Sequence, residues 1–147
     1  MLTWLVFSES SQSFLVWCNH MSERPVVLVV EDDTEMNQLQ CELLDVHGFD
    51  SLAAYTGAEA LELCDEKTTD AVLLDLMLPE MDGYETCRRL RSQGATDRLP
   101  IIMITAMDSE DCRQKGLEAG ADAYFTKPFD PDQIISTLAV LIGANDQ

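Results

Sequence analysis

The run Ala71-Val-Leu-Leu74, stopped by Asp75 and followed by Pro79 and Gly83, constrains this chain more than any other stretch. Apolar residues held between polar Asp70 and acidic Asp75 suit a strand buried on both faces, as in a parallel sheet. Proline fixes φ and glycine permits positive φ, so the chain leaves this strand into a loop. Asp75 then stands at the C-terminal edge of the strand, at the crevice where open α/β sheets bind ligands. Taken alone, an aspartate there is an ordinary strand end. The other strand ends decide otherwise.

The same unit recurs along the chain. Val26–Val30 is a β-branched run that ends in Glu31-Asp32-Asp33. Thr34 to His47 follows with Met36, Leu39, Leu43 and Leu44 at helical spacing, and Gly48 supplies a stop. Asp50 to Ala54 is a weak second strand, and Gly57 to Glu66 a helix with Ala60, Leu61 and Cys64 on its apolar side. Tyr84 to Gln93 is a third helix, stopped by Gly94. Pro100 to Thr105 is the fourth strand.

Asp108 caps the next helix, with Asp111 in its first turn. That helix runs to about Ala119 and has little to bury beyond Cys112, Leu117 and Ala119. Gly116 weakens it, so it is expected to be the most mobile helix. Ala123 to Thr126 is the fifth strand, ending at Lys127-Pro128. Pro131 opens a last helix to Ile142 that buries Ile134, Ile135, Leu138 and Leu141. Strand and helix alternate throughout, which predicts an α/β fold: a doubly wound five-stranded parallel sheet with right-handed crossovers and helices on both faces.

Composition narrows the function. Of 147 residues, 27 are acidic and 9 basic, a net charge of −18. Such a surface repels phosphate, which argues against nucleic acid as a direct partner and against anionic membranes. It favours a cation, or a protein partner with a basic patch. Cys18, Cys41, Cys64, Cys87 and Cys112 lie too far apart for metal-ligand spacing, and their number is odd. A reducing cytosol is the expected compartment.

Residues 1–21 differ from the rest. Leu2–Phe7 and Phe14–Cys18 are short apolar runs parted by Ser8–Ser13, with no Lys or Arg before them. They match neither a signal peptide nor a membrane span, and Met21-Ser-Glu-Arg-Pro25 reads as the start of a soluble domain. The expected organisation is an extension over 1–21, a domain over 22–142 and a tail over 143–147. A membrane or partner anchor is the other reading of the extension.

In a doubly wound sheet the strand ends share one edge. Glu31 and Asp32, Asp75, Thr105 and Lys127 therefore project together. Like charges ~4 Å apart repel by about 4 kcal/mol at an effective dielectric of 20, so grouped carboxylates want a dication. Oxygen-only ligands point to Mg²⁺, which keeps several waters and leaves sites for phosphate oxygens.

The motifs Val29-Val30-Glu31-Asp32-Asp33, Leu73-Leu74-Asp75 through Pro79-Glu80-Met81-Asp82-Gly83, Ile104-Thr105-Ala106 and Lys127-Pro128-Phe129, in this order, resemble the receiver domain of bacterial two-component response regulators. The resemblance runs from about Ser22 to Ile142. It implies a flavodoxin-like strand order 2-1-3-4-5. It implies that Asp75 is the phosphoacceptor, attacking the phosphorus of a phosphohistidine on a histidine kinase or phosphotransfer protein. Asp32 becomes a direct Mg²⁺ ligand, Glu31 a ligand through water, and the Met77 backbone carbonyl a further ligand. Asp33 stays outside that set. Lys127 and Thr105 bond phosphoryl oxygens, Lys127–Pro128 is a cis peptide, and the kinase docks on the first helix around Met36 and Leu39.

By the same resemblance Thr105 and Tyr124 form the switch. The Thr105 hydroxyl moves to the phosphoryl group, Tyr124 turns inward, and the face around the fourth helix is remodelled for a downstream protein target. Side chains two beyond the acceptor and two beyond the hydroxyl govern attack by water. Here both are methionine, Met77 and Met107, so self-dephosphorylation should be slow. The leading expectation is a stand-alone phosphoacceptor domain, not a conventional enzyme. The competing one is an interaction module of the same fold that works without phosphorylation. A phosphatase or mutase with an Asp-x-Asp strand is disfavoured by Asp75-Leu76-Met77. A flavodoxin-like electron carrier lacks its phosphate-cradling loop after Val30.

Overall fold

The computed structural model describes residues 24–145, so the expectation for residues 1–21 lies outside the described residues. Its elements run β1 (Val26–Val30), α1 (Thr34–Val46), β2 (Asp50–Ala54), α2 (Gly57–Glu66), β3 (Ala71–Leu74), α3 (Gly83–Ser92), β4 (Ile101–Thr105), α4 (Glu110–Ala119), β5 (Ala123–Thr126) and α5 (Pro131–Asn145). The strands form one parallel sheet in the order β2-β1-β3-β4-β5. The sequence-based order and layering hold.

Alternation along each strand divides the core into two layers. Leu28, Val30, Val72 and Leu74 pack with Ala60 of α2, Cys87 and Leu90 of α3 and Ala119 of α4. Val27, Val29, Leu73 and Ile104 pack on the other face with Leu44 of α1 and Ile134 and Leu138 of α5. β3 is buried along its whole length, as its unbroken apolar run requires.

Several local expectations change. On α1 the sheet-facing stripe is Asn37, Gln40 and Leu44, while Leu39 is 56% exposed. The helix carries apolar residues on two sides, and the sheet takes the one in line with Leu44. Asp33, outside the expected ligand set, caps α1 by accepting the Glu35 and Met36 amides. Ser109, not Asp108, caps α4 through the Cys112 amide. The Gly94 stop is not used: α3 ends at Ser92 because Gln93 turns extended. α5 continues through Gly143 and Ala144 to Asn145, into the expected tail.

α4 buries Gly116 and Ala119, whereas Leu117 is exposed. Gly116 is a packing requirement rather than a weakness. A Cβ there would meet Met103 Sδ at 2.8 Å and Tyr124 Cδ2 at 3.0 Å.

Candidate functional site

Parallel strands end on one edge, and β1 and β3 are neighbours where the strand order reverses. The residues just past them therefore face one crevice. Asp75 follows Leu74 directly, and its amide donates to the Val30 carbonyl at 3.1 Å, extending the β1–β3 ladder by one step. Asp75 and Glu31 are buried, at 7% and 2% exposure, while Asp32 is exposed.

Carboxylate oxygens of Glu31, Asp32 and Asp75 lie within 4.8 Å of one another. Lys127 reaches them from the end of β5. Its Nζ donates to Glu31 Oε1 at 2.5 Å and to Asp75 Oδ2 at 2.8 Å. The other Asp75 oxygen accepts the Met77 amide at 3.1 Å.

Burial pushes the Glu31 carboxyl up to about 7, against the pull of Lys127, and the Asp75 charge adds to the rise. Burial alone would lower the Lys127 value, but its bonds to Asp75 and Glu31 outweigh that and hold it above the usual lysine range. The pocket is thus short of positive charge. An oxygen-only donor set, half open to solvent at Asp32, fits a hard, hydrated dication such as Mg²⁺.

The loop after Asp75 is fixed by close approach. Gly83 lies against it so tightly that a Cβ would stand 2.3 Å from the Asp75 carbonyl oxygen and 2.7 Å from Leu76 Cα. The Gly83 amide donates to the Leu76 carbonyl at 3.0 Å, and Glu80 adopts φ 66° to close the turn. Only glycine fits the first of these contacts.

Thr105 is fully buried at the end of β4, and its Oγ1 accepts the Met107 amide at 3.4 Å. The Lys127–Pro128 peptide is cis. Met77 is 61% exposed, on the solvent side of the loop that Asp75 begins. Tyr124 is 5% exposed and its hydroxyl donates to the Met107 carbonyl. The ring is therefore already inward, where Gly116 leaves room for it and Arg113 Cζ sits 5.4 Å from its centroid.

Sequence reasoning missed Asn37, which is buried beneath the acidic loop and bonded to the Glu31 carbonyl. Its signal was the spacing Asn37, Cys41, Leu44, a second stripe on α1. Among the described residues Cys41, Cys64, Cys87 and Cys112 are free thiols, and no helix is long and apolar enough to cross a membrane.

Known proteins are similar to this chain in sequence and in fold. The family described as response regulator receiver domain matches residues 27–139. The response regulator MprA of Mycobacterium sp. (strain KMS) is 42% identical over 116 residues, 79% of this chain and 50% of that protein. The chain thus spans about half the length of the curated relatives it matches. Among solved structures, the receiver domain of the Francisella response regulator 1452 superposes with a TM-score of 0.78 at 34% identity, covering 83% of this chain and 99% of that one. The receiver domain of the sensor histidine kinase PA1611 from Pseudomonas aeruginosa superposes at 0.75 with 33% identity, over 82% of this chain and 99% of that one. That neighbour holds a magnesium ion in its active-site cleft. Matched along most of its length by relatives that share this sheet, the chain belongs to the response regulator receiver domain family.

Proposed function

We propose that this domain accepts a phosphoryl group on Asp75 from a phosphohistidine of a histidine kinase or phosphotransfer protein, and signals to a downstream protein by the change that follows. The observation that carries this reading is Lys127 bridging Glu31 and Asp75 beside Asp32. One Asp75 oxygen attacks phosphorus in line. The P–N bond breaks, a P–O bond forms, and the leaving imidazole nitrogen keeps the electron pair. Such a transfer is mostly positioning and charge neutralisation.

Each residue has a part. Asp32 and Asp75, with the Met77 carbonyl, would hold Mg²⁺, and Glu31 would act through water. The ion supplies charge neutralisation for the phosphoryl oxygens. The Lys127 ammonium takes a second oxygen and the Thr105 hydroxyl a third. Movement of Thr105 would loosen the contact between its Oγ1 and the Met107 amide, and Met107 also receives the Tyr124 hydroxyl. The Tyr124 contact with α4 is then the path by which the surface changes. The domain would use Mg²⁺ and act in the cytosol. It would act in this way whatever else the native protein carries.

Met77 and Met107, two residues beyond Asp75 and Thr105 along the chain, have side chains that cannot orient water, which supports slow loss of the phosphoryl group. Met77→Asn with Met107→Glu should speed the decay; an unchanged rate defeats that part. The test of the whole is incubation with a small phosphodonor and Mg²⁺, read by intact mass. Wild type gains one phosphoryl group and Asp75→Ala gains none. Beryllofluoride with Mg²⁺ should shift the amide spectra of Thr105 and Tyr124. Silence in both experiments favours an interaction module that works without phosphorylation.

A further inference from the structure

The first turns of α1 carry a polar side chain where a sheet-facing stripe ordinarily carries an apolar one. Asn37 is 1% exposed. Its Nδ2 donates to the carbonyls of Glu31 at 3.0 Å, Ala54 at 3.1 Å and Val29 at 3.3 Å, and its Oδ1 accepts the Cys41 thiol at 3.5 Å. One amide thereby joins the end of β1, the end of β2 and the residue that opens the acidic loop. The Ala54 carbonyl also accepts the Glu31 amide at 3.0 Å.

The loop is closed from its other side by the same residue. The Asn37 backbone amide donates to the Asp33 carbonyl at 2.9 Å. Asp33 is in turn fixed as the cap of α1 by the Glu35 and Met36 amides. Glu31 and Asp32 therefore hang on a short bridge anchored at both ends by Asn37. Leucine has similar volume and would bury well, but it would leave the Glu31 carbonyl without its donor. The bridge would then relax.

We propose that Asn37 is a positioning residue for the acidic pocket, holding Glu31 and Asp32 where they converge with Asp75 on a divalent cation. This rests on the reading of that pocket as a Mg²⁺ site. Its effect passes through the backbone of the loop, not through contact with the ion. Outer groups that orient ligands commonly change metal affinity by about 10–100-fold.

The test is calorimetric titration of the full chain with Mg²⁺ alone, for wild type, Asn37→Leu, Asn37→Asp and Leu138→Ala. Leu138 is fully buried on the α5 side of the sheet, so its truncation lowers stability without touching the loop. Asn37→Leu should weaken Mg²⁺ binding by about tenfold. Asn37→Asp should weaken it more, because a carboxylate would face carbonyl oxygens. Leu138→Ala should lower the melting temperature and keep the wild-type affinity. If Asn37→Leu does not fold, Asn37→Ala is measured in its place with the same expectation. Wild-type affinity in a folded Asn37 variant overturns the proposal, and so does an equal loss in Leu138→Ala. A wild type that binds no Mg²⁺ overturns the reading of the pocket itself, which is a different result.

Discussion

Among the described residues Lys127 is the one cation that contacts both buried carboxylates, and Lys127→Ala tests how much of the fold depends on it. Side-chain exposures are 21% for Lys127, 3% for Glu31 and 8% for Asp75. Removing one partner of a buried ion pair costs about 3–5 kcal/mol, since the other charge is left uncompensated. Partial exposure of Lys127 lets water reach the space it vacates, which sets the expectation at about 3 kcal/mol in metal-free buffer at pH 8.

The loss should depend on pH, with a definite sign. Glu31 is raised in the folded state from 4.5 to about 7. A carboxyl raised by folding contributes stability at low pH and loses it as pH climbs through the folded value. Without the ammonium the folded value rises further. The deficit of Lys127→Ala therefore grows between pH 5 and pH 8, and Glu31→Gln in the same chain removes most of that growth. Mg²⁺ should restore part of the lost stability, a dication standing in for the ammonium. Urea unfolding at both pH values, with EDTA or with Mg²⁺, measures all three. A deficit under 1 kcal/mol at pH 8, or one indifferent to both pH and Mg²⁺, would refute the charge balance given to this pocket.

Two further substitutions test the frame around the site. Gly83→Ala places a methyl 2.3 Å from the Asp75 carbonyl oxygen, and both nearest groups are backbone. It should cost about 1–3 kcal/mol in urea unfolding and also slow phosphodonor labelling, because the displaced carbonyl belongs to the acceptor residue. Arg91 donates to the carbonyls of Leu99 at 2.6 Å and Gly120 at 2.9 Å and to Asp122 Oδ2 at 2.9 Å, tying the end of α4 to the start of β4. Arg91→Ala should cost about 2–3 kcal/mol and speed amide exchange at Gly120 and Ala121; unchanged exchange there would show that α4 is held elsewhere.

The centre of the sheet was legible because its three inner strands are buried on both faces. Val26–Val30, Ala71–Leu74 and Ile101–Thr105 read as continuous apolar runs that can only be central strands. The meeting of Glu31, Asp32, Asp75 and Lys127 was legible because strand ends share an edge, so position along the chain implied proximity. What stayed hidden depends on pairs of elements. The exposed side of α1 could not be told from its sheet side while Leu39 and Leu44 both looked apolar. Gly83 and Gly116 read as a loop mark and a helix weakness until the backbone and the rings opposite them were known. Ser109 and Asp108 are both good caps one residue apart, and sequence alone does not choose between them.

The charge of the pocket explains why so acidic a chain keeps one lysine there. Glu31, Asp32 and Asp75 against Lys127 leave two negative charges in excess when all are ionised. Burial already drives Glu31 toward its proton, which is one way to shed the excess. A dication is the other, and it neutralises the site without costing the protein a ligand. Phosphorylation of Asp75 would replace one carboxylate charge by about two on the phosphoryl oxygens. The site is then negative again, and its donors are drawn to the new oxygens. Of the proposed donors, Thr105 is the one linked toward α4, since its Oγ1 accepts the Met107 amide and the Met107 carbonyl accepts the Tyr124 hydroxyl. If Asp75 is phosphorylated as proposed, movement of the Thr105 hydroxyl would pass through Met107 to Tyr124, and the packing of that ring on Gly116 would carry it to the surface.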